Sequence, residues 1–128
     1  MTTKTILVIE DNEMNMKLMR AVLRLGPYRM VEAVDAETGL ELIRKERPDL
    51  VLMDIQLPGM DGLSATRIIK ADPELKGIPV IAITGFAMDG DKENAKEIGL
   101  AAYIVKPFNV KALLETIAFI IGDSRSDH

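Results

Sequence analysis

The chain has 128 residues, of which 48% are hydrophobic and 28% are charged, and its formal net charge is -4. This length fits one folded domain, and the acidic balance is the opposite of the basic surface that nucleic-acid binding requires, so we expect no direct nucleic-acid contact. The absence of cysteine excludes disulfides, thiol catalysis and zinc-thiolate sites, and the only histidine is the final residue, His128. No apolar run is long enough to cross a bilayer and no signal peptide is recognisable, which predicts a cytoplasmic protein without membrane insertion.

The first half of the chain predicts two strands and two helices. Ile6 to Ile9 is a short apolar run rich in branched residues, which is typical of a strand buried on both faces. A helix should follow and end near Gly26, with an apolar face formed by residues spaced four, four and three apart: Met14, Leu18, Val22 and Leu25. Met30 to Val34 is a weaker strand candidate. The segment Asp35 to Arg47 predicts a helix with Asp35 as its N-cap, stopped by Pro48.

The second half predicts three more strands and three more helices. The strands are continuous apolar runs: Leu50 to Met53, Val80 to Ile83 and Ala101 to Val105. Helices are expected at Gly62 to Ala71 and at Asp89 to Ile98, the latter ending at Gly99. A last helix begins after Asn109, its expected N-cap, and carries apolar residues at helical spacing: Val110, Leu113, Leu114, Ile117 and Ile121. The predicted domain covers residues 1–122, and the polar residues 123–128 are expected to form a frayed tail.

Five strands that alternate with five helices predict an α/β fold with a doubly wound parallel sheet. In such folds ligands bind beyond the carboxyl ends of the strands, at the point where the strand order reverses. Polar residues stand at four of these strand ends: Glu10, Asp11, Asp54, Thr84 and Lys106. The chemistry of the protein is therefore expected at this edge of the sheet.

Three carboxylates at one sheet edge repel one another, and partial burial increases the cost, so the group Glu10, Asp11 and Asp54 favours a bound cation. Mg2+ prefers oxygen ligands and keeps several waters, so Asp11 and Asp54 could bind it directly while Glu10 holds a water. A metal beside a free carboxylate oxygen is suited to phosphoryl transfer with Asp54 as the nucleophile. Lys106 could pair with the remaining charge, and the Thr84 hydroxyl could hydrogen-bond a phosphate oxygen.

Each of these residues also has a simpler interpretation. An aspartate at a strand end commonly bonds its own nearby backbone in a turn or a cap, and this applies to Asp54 and to the Glu10–Asp11 pair. Thr84 could be an ordinary strand terminus, and Lys106 a solvated charge. The functional interpretation is favoured because all of these residues fall at one edge of one sheet.

Four segments resemble the receiver domains of two-component response regulators: ILVIEDNEMN at 6–15, VLMDIQLPGMDG at 51–62, PVIAITG at 79–85 and AYIVKPF at 102–108. The resemblance implies a flavodoxin-like sheet of order 2-1-3-4-5. It implies phosphorylation of Asp54 by a sensor histidine kinase or a histidine phosphotransfer protein. It also implies a Mg2+ site, in which Mn2+ can substitute, formed by Glu10, Asp11, Asp54 and the backbone carbonyl of Gln56.

The resemblance further implies a switch. Thr84 would move toward the phosphate, Tyr103 would turn inward, and the fourth helix, fifth strand and fifth helix would present a changed face to a downstream protein. The Lys106–Pro107 peptide is expected to be cis. Such a domain phosphorylates and dephosphorylates itself with Mg2+ and is not a multi-turnover enzyme.

Three functions remain open on the sequence. Three segments also resemble stand-alone cell-cycle regulators: EDNEMNMKLM at 10–19, MDIQLPGMDGL at 53–63 and FAMDGDKE at 86–93. This resemblance favours an independent switch in cell-cycle or developmental signalling. A receiver domain of a hybrid histidine kinase is the alternative. A Mg2+-dependent phosphatase that turns over through an aspartyl-phosphate is more remote, because Gln56 occupies the position where such enzymes carry a second aspartate.

Overall fold

A computed structural model of the protein describes residues 3–85 and 96–122. Within these ranges one sheet of five parallel strands has the order β2-β1-β3-β4-β5. The strands are β1 (Lys4–Ile9), β2 (Tyr28–Ala33), β3 (Leu50–Asp54), β4 (Val80–Thr84) and β5 (Ala102–Val105). The predicted fold class and strand order are confirmed, and each predicted strand lies within two residues of its observed bounds.

Helices connect the strands across both faces of the sheet. They are α1 (Glu13–Arg24), α2 (Ala36–Glu46), α3 (Gly62–Ala71) and the C-terminal helix (Val110–Ile121). Residues 96–98 are also helical, and Gly99 ends this segment at a φ of 94°, as predicted. The rest of the predicted helix at 89–98 and the predicted tail at 123–128 lie outside the described residues.

Side-chain caps define where the helices begin. Asp35 and Asn109 cap α2 and the C-terminal helix as predicted, because their side-chain oxygens accept the backbone N–H three residues later. Asn12 and Asp61 cap α1 and α3 in the same way, and these two caps were not predicted from the sequence. None of the described helices is long and apolar enough to cross a membrane.

The core consists of two layers separated by the sheet. Leu7 and Ile9 of β1 face one layer, which α2 and α3 complete with five residues: Ala36, Leu40, Ile43, Ala65 and Ile69. Ile6 and Val8 face the other layer, which α1 and the C-terminal helix complete with six residues: Met16, Met19, Val22, Leu23, Leu113 and Ile117. Burial on both faces explains why the central strands are continuous apolar runs.

The predicted apolar face of α1 is wrong. Met14 and Leu25 are 73% and 71% exposed, and Leu18 is 44% exposed, so of the four predicted core residues only Val22 is buried. The helix instead buries Met16, Met19, Val22 and Leu23. The physical reason is that α1 carries two overlapping apolar stripes, and its packing against β1 and the C-terminal helix selects one of them.

The strand order places the candidate site. β1 lies between β2 and β3, and the order of connection reverses between β1 and β3. Ile9 pairs with Met53, so the residues that follow them, Glu10 and Asp54, lie side by side at the carboxyl edge of the sheet. This is the crevice in which doubly wound sheets bind ligands.

Candidate functional site

Three carboxylates meet at the carboxyl ends of the two central strands. Glu10 and Asp11 follow β1, Asp54 ends β3, and one ligand oxygen from each lies within 4.8 Å of the others. Glu10 is 5% exposed and Asp54 is 8% exposed, whereas Asp11 faces solvent. The sequence prediction that these three residues come together is therefore confirmed.

Backbone amides hold one oxygen of each buried carboxylate. The N–H of Asn12 donates to Glu10 Oε2 at 3.2 Å, and the N–H of Gln56 donates to Asp54 Oδ1 at 2.9 Å. The N–H of Glu10 donates to the carbonyl oxygen of Ala33 at 3.0 Å, which extends the sheet ladder beyond β1. These bonds fix the orientation of both carboxyl groups on the rigid end of the sheet.

Lys106 supplies positive charge on the β5 side of the cluster. Its Nζ lies 3.4 Å from Glu10 Oε1 and 3.6 Å from Asp54 Oδ2, and its side chain is 20% exposed. The backbone N–H of Lys106 donates to the carbonyl oxygen of Thr84 at 2.7 Å, which anchors the lysine to the end of β4. The Lys106–Pro107 peptide is cis, as predicted.

One ammonium does not compensate three carboxylates. Burial raises the pKa of Glu10 above its ordinary value of 4.5, and the neighbouring Asp54 charge raises it further, while the Asn12 N–H and Lys106 act in the opposite direction. A divalent cation would remove this repulsion. The donors are all carboxylate oxygens, which suits a hard cation such as Mg2+.

The remaining predicted residues surround this cluster. Thr84 is fully buried and ends β4, one residue beyond Ile83, which pairs with Asp54. Tyr103 is half-buried in β5 and pairs with Ala82. Gln56 is exposed, and its N–H holds Asp54; the prediction that its carbonyl binds metal stays a prediction.

Three residues that shape the loops around the site were not predicted from the sequence. Asn12 begins α1 immediately after Asp11, and Asp61 begins α3 at the end of the loop that follows Asp54. Gly62 lies against the backbone of Asp54. The two caps could have been found from an Asn or Asp standing just before a helical pattern, but the close approach of Gly62 has no signal in a single sequence.

The chain and its fold are similar to known proteins. The model of the family described as response regulator receiver domain matches residues 6–118. The chain is 46% identical over 121 residues to the polar-differentiation response regulator DivK of Brucella anthropi, and the match covers 94% of this chain and 98% of that protein.

Two solved structures are similar in fold. The receiver domain of the sensor histidine kinase PA1611 from Pseudomonas aeruginosa PAO1 has a TM-score of 0.86 and 36% identity, and the match covers 95% of this chain and 100% of that one. That structure has a magnesium ion coordinated in its active site cleft. The Mn2+-bound form of response regulator Rcp1 has a TM-score of 0.77 and 27% identity, with 93% of this chain and 90% of that one covered.

Proposed function

Because the chain belongs to the family of response regulator receiver domains, we propose that it accepts a phosphoryl group on Asp54, with Mg2+ held by Glu10, Asp11 and Asp54. The observation that carries this proposal is the cluster of three carboxylates within 4.8 Å, with Lys106 Nζ 3.6 Å from Asp54 Oδ2. The metal ions in the PA1611 and Rcp1 structures support a divalent cation and favour Mn2+ as a substitute.

The phosphodonor in this proposal is a phosphohistidine on a sensor histidine kinase or a histidine phosphotransfer protein. An oxygen of Asp54 forms a bond to phosphorus as the bond from phosphorus to the histidine nitrogen breaks, and that nitrogen takes up a proton. Bound Mg2+ would supply the positive charge that the phosphoryl oxygens require. Lys106 pairs with a phosphoryl oxygen, and the buried Thr84 hydroxyl donates a hydrogen bond to another.

The phosphoryl group carries about -1.5 to -2 charges and replaces the single negative charge of the Asp54 carboxylate, and this change at the end of β3 acts as the switch. A shift of Thr84 toward the phosphate would move the end of β4, and the half-buried Tyr103 on the neighbouring strand would follow inward. The altered face binds a downstream protein. The phosphoryl group can drive this change only if it interacts more favourably with the switched conformation than with the resting one. The new charge-assisted hydrogen bonds to Lys106 and Thr84 supply that difference.

We propose that the protein works as a stand-alone switch in cell-cycle or developmental signalling. The support is the 46% identity to DivK, a match that extends over 98% of that regulator. The alternative is a receiver domain of a hybrid histidine kinase, which the similarity to the PA1611 receiver supports. The mass of the natural gene product decides between them, and cell fractionation would check the predicted cytoplasmic location.

We also propose that the protein is not a multi-turnover enzyme. The position two residues after Asp54 is Gln56, whose amide cannot exchange protons as a general acid or base. A phosphatase that turns over through an aspartyl-phosphate is therefore disfavoured. Release of many phosphates per chain from a small donor would support that second function instead.

The test is incubation of the chain with Mg2+ and acetyl phosphate, followed by intact-mass measurement. We expect a single phosphoryl adduct on the wild type and none on Asp54→Asn, because the amide keeps the shape of the side chain and removes the nucleophile. Asp35→Asn is the matched control, since asparagine also caps a helix, and it should be labelled as the wild type is. Labelling of Asp54→Asn would show that another residue is the acceptor.

A further inference from the structure

Gly62, the first residue of α3, lies directly against the backbone of the acceptor strand. A Cβ atom built on Gly62 would stand 2.6 Å from the carbonyl oxygen of Asp54 and 2.8 Å from the Cα of Ile55. Both neighbours are backbone atoms, so they cannot move aside as the end of a flexible side chain could. The φ of Gly62 is not in the left-handed region, so only this close approach requires glycine here.

A chain of hydrogen bonds connects Gly62 to the Asp54 carboxylate. The N–H of Gly62 donates to the carbonyl oxygen of Ile55 at 2.8 Å, and the N–H of Leu57 donates to the same oxygen at 3.2 Å. The Ile55 carbonyl belongs to the peptide group whose N–H is that of Gln56. This N–H donates to Asp54 Oδ1 at 2.9 Å. The position of α3 thus determines the orientation of the Ile55–Gln56 peptide, whose N–H holds the Asp54 carboxylate.

Thr66 holds the first turn of α3 in place. Its side chain is 1% exposed, and its Oγ1 donates to the carbonyl oxygen of Gly62 at 2.8 Å. The cap completes the restraint, because the N–H of Ser64 donates to Asp61 Oδ1 at 2.8 Å. A buried hydroxyl in a helix normally requires such a hydrogen bond. Thr66 has no part in the function proposed above.

We infer that Gly62 and Thr66 are positioning residues for the Asp54 carboxylate. Gly62 allows α3 to sit on the backbone of Asp54 and Ile55, and Thr66 keeps it there, so the Gln56 N–H stays aimed at Asp54 Oδ1. Neither residue touches the reacting atoms. The effect on metal binding and phosphorylation rests on the proposed function, whereas the effect on the Gln56 N–H does not.

The test compares Gly62→Ala and Thr66→Val with three controls. Thr66→Ser keeps the hydroxyl, and Gly77→Ala adds the same methyl group where nothing lies within 4 Å. Leu75→Ala removes a side chain that is 1% exposed, in the connection from α3 to the opposite edge of the sheet, and so measures the effect of lost stability alone. The measurements are the backbone amide chemical shift of Gln56 without metal, the Kd for Mg2+, and the rate of labelling by acetyl phosphate.

We expect the Gln56 amide signal to move in Gly62→Ala and Thr66→Val and to stay unchanged in the three controls. Mg2+ binding and labelling should weaken about tenfold in Gly62→Ala, and by less in Thr66→Val, as for other residues that orient metal ligands. If Gly62→Ala does not fold, Thr66→Val and Thr66→Ser decide the question.

The inference is overturned if the two variants match Leu75→Ala in all three measurements. A different result concerns the wild type alone: if it neither binds Mg2+ nor becomes labelled, the proposed function fails. The Gln56 amide signal would still show whether Gly62 and Thr66 position Asp54, so the two failures are distinguishable.

Discussion

Glu10 is a buried carboxylate whose surroundings disfavour its charged form, and this makes the stability of the folded protein depend on pH. Its pKa is raised from 4.5, first by burial and then by the Asp54 charge. In the range from 4.5 up to the raised pKa the folded protein binds more protons at this site than the unfolded chain. The stability that Glu10 contributes without metal is therefore fully present below 4.5 and is lost as the pH rises through the raised pKa.

The variant Glu10→Gln should remove this loss, since its amide does not ionise. We expect the metal-free variant to be more stable than the wild type at neutral pH, and the difference to shrink toward acidic pH. Thermal unfolding in a chelator over a pH series measures it. Glu41→Gln, at an exposed carboxylate of α2, is the control. Equal pH dependence in Glu10→Gln and wild type would contradict the prediction.

The residues at the strand ends were predictable because a parallel sheet brings its carboxyl ends to one edge whatever the loops do. Glu10, Asp11, Asp54 and Lys106 meet there as the sequence analysis expected. The hydrogen bond from the Gln56 N–H to Asp54 and the close packing of Gly62 against the Asp54 backbone were not predictable. Both depend on where the backbone lies to within a few tenths of an ångström, and residue types and their spacing do not encode this position.

At the scale of elements, α1 shows that the apolar spacing in the sequence does not determine which face of a helix is buried. Its exposed stripe and its buried stripe both have helical spacing, and Val22 lies between them because successive residues turn by about 100°. Periodicity alone therefore identified the helix but not its inward face. The buried stripe contacts the layer formed with Ile6 and Val8, and that long-range contact decides the orientation.

The two faces of α1 should respond differently to truncation of a methionine. Met19 is 4% exposed and Met14 is 73% exposed, on the same helix. We expect Met19→Ala to lower the free energy of unfolding by about 2 to 5 kcal/mol, because it leaves a cavity in the core. Met14→Ala should change it by less than about 0.5 kcal/mol. Urea denaturation of both variants is the measurement, and similar losses would place both residues in the core.

At the scale of the whole molecule, the sequence predicted the architecture better than its details. Continuous apolar strands alternating with amphipathic helices leave few packings other than a doubly wound sheet, so the fold class followed from pattern alone. The bounds were less certain, because β3 and β4 each continue by one residue into the site, at Asp54 and Thr84. Polar residues at these positions look like strand ends, although the hydrogen-bond ladder includes them.

The site joins β1 and β3, two central strands whose residues Ile6–Ile9 and Leu50–Met53 are buried, so a cation bound there should stabilise the entire domain. Asp11 and Asp54 come from different strands, and the native arrangement exists only when β1 and β3 are paired. At about one hundred times its Kd, Mg2+ should add about 2.7 kcal/mol to the free energy of unfolding and raise the Tm by roughly 10 °C. The increase should be strongly reduced in Asp11→Asn, which removes the charge of a proposed ligand, and retained in Asp35→Asn. Calorimetry with and without Mg2+ measures it, and an undiminished increase in Asp11→Asn would mean that the cation stabilises the protein from another site.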